Sequence, residues 1–171
     1  EKETGTMEQL LVSAVRSHEI IFGKVIPYIF LAIFDAVFVV AISVFVFGVP
    51  FVGSIALLSV LTLLYIFCSL SLGLLISTAA SSQQNAMMIA LSATMLPSMF
   101  LSGFFFPLDS MPKILQYFSY VIPARYYLQI VRGIMLKGCS FNELASAVLP
   151  LAIMTALLII LSIRKFNDRL G

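Results

Sequence analysis

The stretch FVGSIALLSVLTLLYIFCSLSLGLLIS, residues Phe51–Ser77, contains no charged residue. A helix needs about 20 apolar residues to cross roughly 30 Å of hydrocarbon, so this stretch is long enough to span a bilayer. Val25–Phe47 meets the same condition with one charge, Asp35, and Ala86–Phe106 and Leu144–Ile163 meet it with none. The sequence therefore predicts an all-α membrane protein with four transmembrane helices.

The overall composition supports a bilayer environment. Hydrophobic residues make up 61% of the chain, and the mean hydropathy is +1.08. Soluble domains contain roughly 45–50% apolar residues. The net charge of +2 is too small to suggest binding to nucleic acid. Neither His18 nor the separated Cys68 and Cys139 form a metal-binding or disulfide pattern, and we expect Cys68 to pack as a small hydrophobic residue.

The charged residues cluster at the two ends of the chain and thereby predict its orientation. An even number of spans places both ends on one side of the membrane. Basic residues are more numerous on that side than on the other, and this excess indicates cytoplasmic ends. The six on the side of the ends are Lys2, Arg16, Lys24, Arg164, Lys165 and Arg169, and the four on the other side are Lys113, Arg125, Arg132 and Lys137. We thus expect cytoplasmic coupling helices over residues 1–24 and a transmembrane domain over residues 25–171.

The segment Leu108–Cys139 lies between the third and fourth spans and is too polar to be a span itself. A fifth span would bury Arg125 and Arg132, each at a cost of about 2.5–3.5 kcal/mol on insertion scales. Asp109 or Ser110 is expected to cap a first short helix. Pro123 then breaks the pattern, and a second helix follows that Gly138 can close. The pattern predicts a re-entrant helical hairpin in the outer leaflet, and a hairpin lying flat on the outer surface is the alternative.

Two short helices are predicted in the head, before the first span. Thr6 and Gln9 form a capping box, and apolar residues recur at helical spacing from Met7 to Ala14. A second helix is expected to start at Ser17 and to run towards Lys24. An amphipathic helix of this kind can lie on lipid or dock against a cytoplasmic partner, and the pattern does not separate the two.

Two blocks of sequence resemble the permeases of type-2 ATP-binding-cassette (ABC) exporters. The first block is EKETGTMEQLLVS, residues 1–13, followed by EIIFGK, residues 19–24. It resembles the cytoplasmic loop of that family. The second block resembles the family's outer re-entrant segment and comprises FFPL at 105–108, MP at 111–112, IPARYY at 122–127 and RGI at 132–134.

This resemblance implies a larger assembly. Permeases of this family have six spans, with a large extracytoplasmic domain after the first, and this chain would start after the second as the C-terminal part of a longer protein. Its head would be the coupling helix in a cleft of the ATPase, through Thr6, Met7, Glu8, Leu10 and Leu11. The outer hairpin would close the top of the translocation path. Two permease subunits, identical or different, would work with two cytoplasmic ATPases that hold ATP and Mg.

No nucleotide-binding loop is present in the sequence itself. A phosphate-binding loop needs an upstream glycine before Gly-Lys and a hydroxyl residue after it. The pair Gly23-Lys24 has neither of these. We therefore expect no catalytic residue and no cofactor on this chain.

Three charged residues are candidates for a translocation path, namely Asp35, Arg125 and Arg132. Asp35 is the single acidic residue inside a predicted span, and such groups usually face the bundle interior or water. A hydrogen bond from Asp35 to Ser43, Ser69 or Ser71 is the structural alternative. The position departs from the resembling family, which often has a neutral polar residue there.

The sequence therefore predicts the transmembrane permease subunit of an ATP-driven exporter in a bacterial inner membrane, with a substrate that the sequence does not reveal. Two other functions remain open. The chain could belong to an ion-coupled secondary transporter that uses Asp35, or to a non-transporting scaffold with four spans.

Overall fold

The computed structural model describes residues 17–167, and all regular structure in that range is helical. Within these residues, a π-helical turn, Leu91–Met95, and a 3₁₀ turn, Leu108–Ser110, accompany seven α-helices. The α-helices are α1 Ser17–Phe45, α2 Ile55–Ala79, α3 Gln83–Ala90, α4 Leu96–Leu101, α5 Lys113–Ser119, α6 Pro123–Lys137 and α7 Phe141–Asn167. The prediction of an all-α protein is confirmed.

Three helices in the described range are long and apolar enough to cross a membrane. They contain the candidate spans Val25–Phe45, Ile55–Ala79 and Phe141–Lys165. These correspond to the first, second and fourth predicted spans, with boundaries displaced by a few residues. The second head helix is expected to end near Lys24, but the described helix Ser17–Phe45 continues through Lys24 into the first span without a break.

Local caps set the observed starts of the other two long helices. The Ser54 hydroxyl accepts a hydrogen bond from the Leu57 N–H at 3.4 Å, so α2 begins at Ile55 rather than at Phe51. Glu143 accepts the Ser140 N–H at 2.8 Å, which is one half of a capping box. This cap starts α7 at Phe141, three residues before the predicted start.

The third predicted span, Ala86–Phe106, is not one regular helix. Helical backbone runs from Gln83 to Leu101, roughly 28 Å at about 1.5 Å per residue, but the π-helical turn divides it. Pro97 lies just after this turn. Its ring lacks an N–H and would clash with the carbonyl four residues earlier in a regular helix, so the backbone widens there. The Leu96 N–H accordingly donates to the Leu91 carbonyl, five residues back.

The hydrophobic core lies where α2, α6 and α7 meet. Cys68, Ile130, Ile134 and Leu151 are fully buried within it. The prediction that Cys68 packs as a hydrophobic residue is confirmed. A Ser162 hydroxyl donates to the Ser71 carbonyl at 2.6 Å and ties α7 to α2 farther along the pair. Apart from this core the long helices expose apolar side chains, and the candidate span of α1 has no buried residue.

Candidate transport elements

Helix α6 connects the outer segment to the core. Its sequence defines both ends: Pro123 occupies the first helical turn, and Gly138 ends the helix with a φ of 65°. One face of the helix is buried and carries Tyr126, Ile130, Gly133, Ile134 and Met135. The predicted helix, its break at Pro123 and its closure by Gly138 are confirmed.

Close backbone contacts hold the C-terminal half of α6. The Val52 N–H in the α1–α2 loop donates to the Met135 carbonyl at 3.0 Å. A Cβ added at Gly53 would lie 2.4 Å from the Ile134 carbonyl oxygen, and one added at Gly133 would lie 2.7 Å from Leu144 Cδ2. Glycine is therefore required at Gly53 for the loop to approach α6 so closely.

A tyrosine pair joins the N-terminal half of α6 to α2. The rings of Tyr127 and Tyr65 stack with centroids 4.1 Å apart and an interplanar angle of 1°. The Tyr127 hydroxyl also shares a hydrogen bond of 3.0 Å with the Thr62 hydroxyl. Burial raises the pKa of the Tyr127 phenol, and the bond to Thr62 opposes part of that rise. The phenol therefore stays protonated and keeps this contact at neutral pH.

Apart from the exposed Lys113 at its start, helix α5 presents apolar residues outward and keeps polar residues inward. Ile114 and Tyr117 are 71% and 72% exposed, whereas Ser119 is fully buried. Gln116 Nε2 donates to the Met111 carbonyl at 2.9 Å, and the Ser119 hydroxyl donates to the Gln116 carbonyl at 2.7 Å. This arrangement suits an apolar environment around α5 better than water.

The backbone carbonyls at the C-terminal end of α5 all find partners within the chain. Those of Tyr117, Phe118 and Ser119 accept the N–H groups three residues later, at 3.1–3.2 Å. The Tyr120 carbonyl accepts the Tyr126 hydroxyl at 2.9 Å. Backbone groups in a hydrocarbon environment must be satisfied internally. This end of the hairpin meets that requirement through contacts of the chain alone.

The start of α5 differs from the prediction. Neither Asp109 nor Ser110 caps it, because α5 begins at Lys113 without a side-chain cap. Pro112 precedes the helix and holds Met111 in an extended conformation, which prevents an earlier start. With 7 and 15 residues, α5 and α6 are each shorter than the roughly 20 residues that a span needs.

Arg125 lies at the junction of the two hairpin helices and is half-buried. Its Nη1 donates to the Ser119 hydroxyl and, at 3.4 Å, to the Gln116 carbonyl. The guanidinium carbon lies 4.0 Å from the centroid of the Tyr120 ring. The polar contacts of Arg125 therefore lie inside the hairpin.

The structure shows where the other candidate path residues lie. Arg132 is exposed on α6, on the side opposite the buried face. Asp35 is exposed on α1. The hydroxyls of Ser43 and Ser71, considered as partners for Asp35, instead donate to the Val39 and Phe67 carbonyls of their own helices.

The predicted coupling residues lie outside the described residues, and so does the rest of the head before Ser17. These predicted coupling residues are Thr6, Met7, Glu8, Leu10 and Leu11. Within residues 17–167, no group of three or more His, Cys, Asp or Glu side chains is placed to hold a metal ion.

Comparison with known proteins gives a family match over most of the chain. A model of the family described as ABC-2 type transporter matches residues 1–136. The "Probable multidrug ABC transporter permease YbhS" of Escherichia coli (strain K12) is 42% identical over 138 residues, which cover 81% of this chain and 37% of that protein. No solved structure matches the chain.

Two further relatives extend the comparison. The "Probable multidrug ABC transporter permease YbhR" of the same organism is 36% identical over 156 residues, which cover 91% of this chain and 42% of that protein. The "ABC transporter G family member 20" of Dictyostelium discoideum is 29% identical over 171 residues, 99% of this chain and 23% of that protein. The chain thus spans about two fifths of the length of the two Escherichia coli relatives.

Long apolar helices with outward-facing apolar side chains define a multi-pass helical membrane protein. Because the family match covers residues 1–136, the chain belongs to the ABC-2 type transporter family. It is a membrane-spanning part of an ABC transporter permease. The resemblance to this family that was noted in the sequence is therefore confirmed.

Proposed function

We propose that this chain forms part of the transmembrane subunit of an ATP-driven exporter in a bacterial inner membrane. The chain would cross the membrane four times, with the helical path Gln83–Leu101 as the third crossing. Both ends would lie in the cytoplasm, and α5 and α6 would form a re-entrant hairpin at the outer side. Two such permease subunits would flank the translocation path.

The observation that carries the proposal, together with family membership, is the packing of α6 between α2 and α7. The buried residues Ile130 and Ile134 of α6 and Leu151 of α7 belong to one core cluster. A movement of α2 or α7 relative to the membrane would therefore displace the outer hairpin. Such a link is what alternating access needs between the spans and the outer closure.

The energy source in this proposal is a separate ATPase with bound ATP and Mg. The relatives in Escherichia coli are named as ABC transporter permeases. The helix predicted over Thr6–Ala14 would dock into a cleft of that ATPase, and its apolar residues would supply most of the docking energy. Closure of the ATPase pair would then move the spans.

Transport by the full-length protein in inverted membrane vesicles tests this function. A panel of fluorescent drugs is a suitable first set of substrates, because two relatives carry the word multidrug in their names. We expect uptake into the vesicles that needs ATP and a co-purifying ATPase and that persists when the proton gradient is collapsed. An inactive variant of the ATPase serves as the control.

Two results would contradict the proposal. Uptake that follows the proton gradient without ATP, and that is lost in Asp35→Asn, would identify a secondary transporter. An assembled complex with no ATPase partner and no transport of the panel would favour the scaffold. Each variant is measured at an equal amount of the protein in the vesicle membrane, so that differences in expression do not affect the comparison.

A further inference from the structure

The hairpin contains one long polar side chain whose contacts all lie within it. Nη1 of Arg125 binds the Ser119 hydroxyl and the Gln116 carbonyl, and the guanidinium covers the Tyr120 ring. Its Nε is buried and makes no hydrogen bond in the structure. A charged group held in this way at the C-terminal end of α5 also complements the partial negative charge there.

The contacts of Arg125 join two helices that are otherwise linked by a short turn and by the hydrogen bond from the Tyr126 hydroxyl to the Tyr120 carbonyl. On one side is α5, which packs against α4 and leaves its outward apolar residues exposed. On the other side is α6, which belongs to the core through Tyr126 and Ile130. Because Arg125 stands in the first turn of α6, its guanidinium reaches back from this core-bound helix to α5.

Arg132 provides an internal comparison. It lies two turns farther along α6, and its side chain is exposed. The two arginines look equivalent in sequence, since both fall on the polar side of an amphipathic helix. Of these two arginines, Arg125 alone forms contacts between α5 and α6 in the structure.

We infer that Arg125 is a positioning residue that clamps α5 to α6, so that α5 follows the α2–α6–α7 core as one body. The planar guanidinium is suited to this role because one face stacks on an aromatic ring while its edge donates hydrogen bonds. Lysine offers a point charge without that plane. In a transporter, the clamp would carry movement of the spans to the outer closure. This consequence rests on the proposed function, whereas the clamp itself does not.

Distances between spin labels in the full-length protein test the clamp without any transport measurement. Cysteines replace Tyr117 on α5 and Leu136 on α6, both exposed, in a background without native cysteines. A second pair, Leu136 and Leu149, measures the distance from α6 to α7 inside the core body. We expect a single narrow distance for both pairs when Arg125 is present.

The variant Arg125→Gln should lose the narrow distance between positions 117 and 136 and keep the narrow distance between positions 136 and 149. The control Arg132→Gln should leave both distances narrow. An effect on stability alone would lower the unfolding temperature of Arg125→Gln and leave both distances narrow, and that result would overturn the inference.

A second substitution decides the matter if Arg125→Gln disturbs the whole fold. Should both distances broaden in that variant, Arg125→Lys is measured, because it keeps the charge and one donor. Broadening of the α5 pair alone in Arg125→Lys supports the clamp. Broadening of both pairs or of neither pair overturns it.

Discussion

Alanine at Gly53 should destabilise the protein more than alanine at any other helix or loop glycine with a negative φ. The φ of Gly53 is not positive, so an alanine backbone fits there without strain. The added Cβ, however, would lie 2.4 Å from the Ile134 carbonyl oxygen and 2.8 Å from Ile134 Cγ2. The closest atom belongs to helix backbone and cannot rotate away.

The expected loss of stability follows from two contributions. Overpacking of a well-packed site costs typically about 1–3 kcal/mol. The neighbouring hydrogen bond from Val52 N–H to the Met135 carbonyl, 3.0 Å long, would be displaced with the loop. A net loss of about 0.5–1.5 kcal/mol is usual for such a bond. Gly53→Ala should therefore lower the free energy of unfolding by roughly 2–4 kcal/mol.

Two other glycines form a graded series with Gly53. Alanine at Gly133 would place Cβ 2.7 Å from Leu144 Cδ2, the far end of a flexible side chain. We expect a smaller loss there, about 1 kcal/mol, because Leu144 can rotate. Gly73 has nothing within 4 Å of an added Cβ. Since alanine favours a helix by roughly 0.5–1 kcal/mol over glycine, Gly73→Ala should be neutral or stabilising.

Reactivity of a buried thiol provides the assay. Cys68 is fully buried, so a fluorogenic maleimide reacts with it only when the core opens. Heating the detergent-solubilised full-length protein with Cys68 as its one cysteine gives an unfolding midpoint for each variant. The expected order of midpoints, from low to high, is Gly53→Ala, Gly133→Ala, Gly73→Ala. Equal midpoints for Gly53→Ala and Gly73→Ala would refute the close approach of the α1–α2 loop to α6.

The remaining predictions concern topology and function. A single cysteine in place of Lys113 should be labelled from outside the cell membrane only, and labelling from the cytoplasm would reject the four-span topology. Arg132→Leu should reduce transport more than membrane insertion, as measured by uptake and by yield in the membrane fraction, because its exposed guanidinium faces the aqueous path in the proposed arrangement. Asp35→Asn should retain part of the transport activity, since an amide can still form hydrogen bonds, and complete loss at normal expression would show that the charge is needed. Leu10→Ala and Glu8→Lys should each uncouple ATP hydrolysis from transport in the reconstituted complex, by about 1 kcal/mol or more of docking energy, and normal substrate-stimulated ATPase activity in both would leave the head as a membrane-surface helix.

Hydropathy predicts the three long helices of the described residues but also a fourth that is divided by a π-helical turn, and the ends of the long helices depend on polar caps. Ser54 and the pair Ser140 and Glu143 move the starts of α2 and α7 away from the edges of the apolar runs. The sequence signal of each cap is a serine near the start of the apolar run, and Ser140 is also followed three positions later by Glu143, as in a capping box. The division of the third predicted span also has a sequence signal, which is Pro97 inside an uncharged run.

Tertiary contacts in the hairpin were harder to predict. Helical spacing places Arg125 and Arg132 on one polar face of α6. It places Ile130 and Ile134 on another face, and the structure shows that face to be buried. Spacing carries no information about the preceding helix, so it cannot show that Arg125 alone reaches α5. The role of Gly53 likewise depends on how closely the α1–α2 loop approaches Ile134, a distance that no periodicity encodes.

The two hairpin helices expose different kinds of side chain, and this difference bears on the proposed position of the hairpin. The outward side of α5 carries Ile114 and Tyr117, whereas the outward side of α6 carries Gln129 and Arg132. Exposed apolar side chains are stable against hydrocarbon, and an exposed arginine needs water or polar partners. A hairpin with both kinds of surface fits a boundary between lipid and an aqueous space. A helix that lies flat on the membrane can also bury an apolar side in lipid, so the re-entrant arrangement, with α5 towards lipid and α6 towards the aqueous path, stays part of the proposed function.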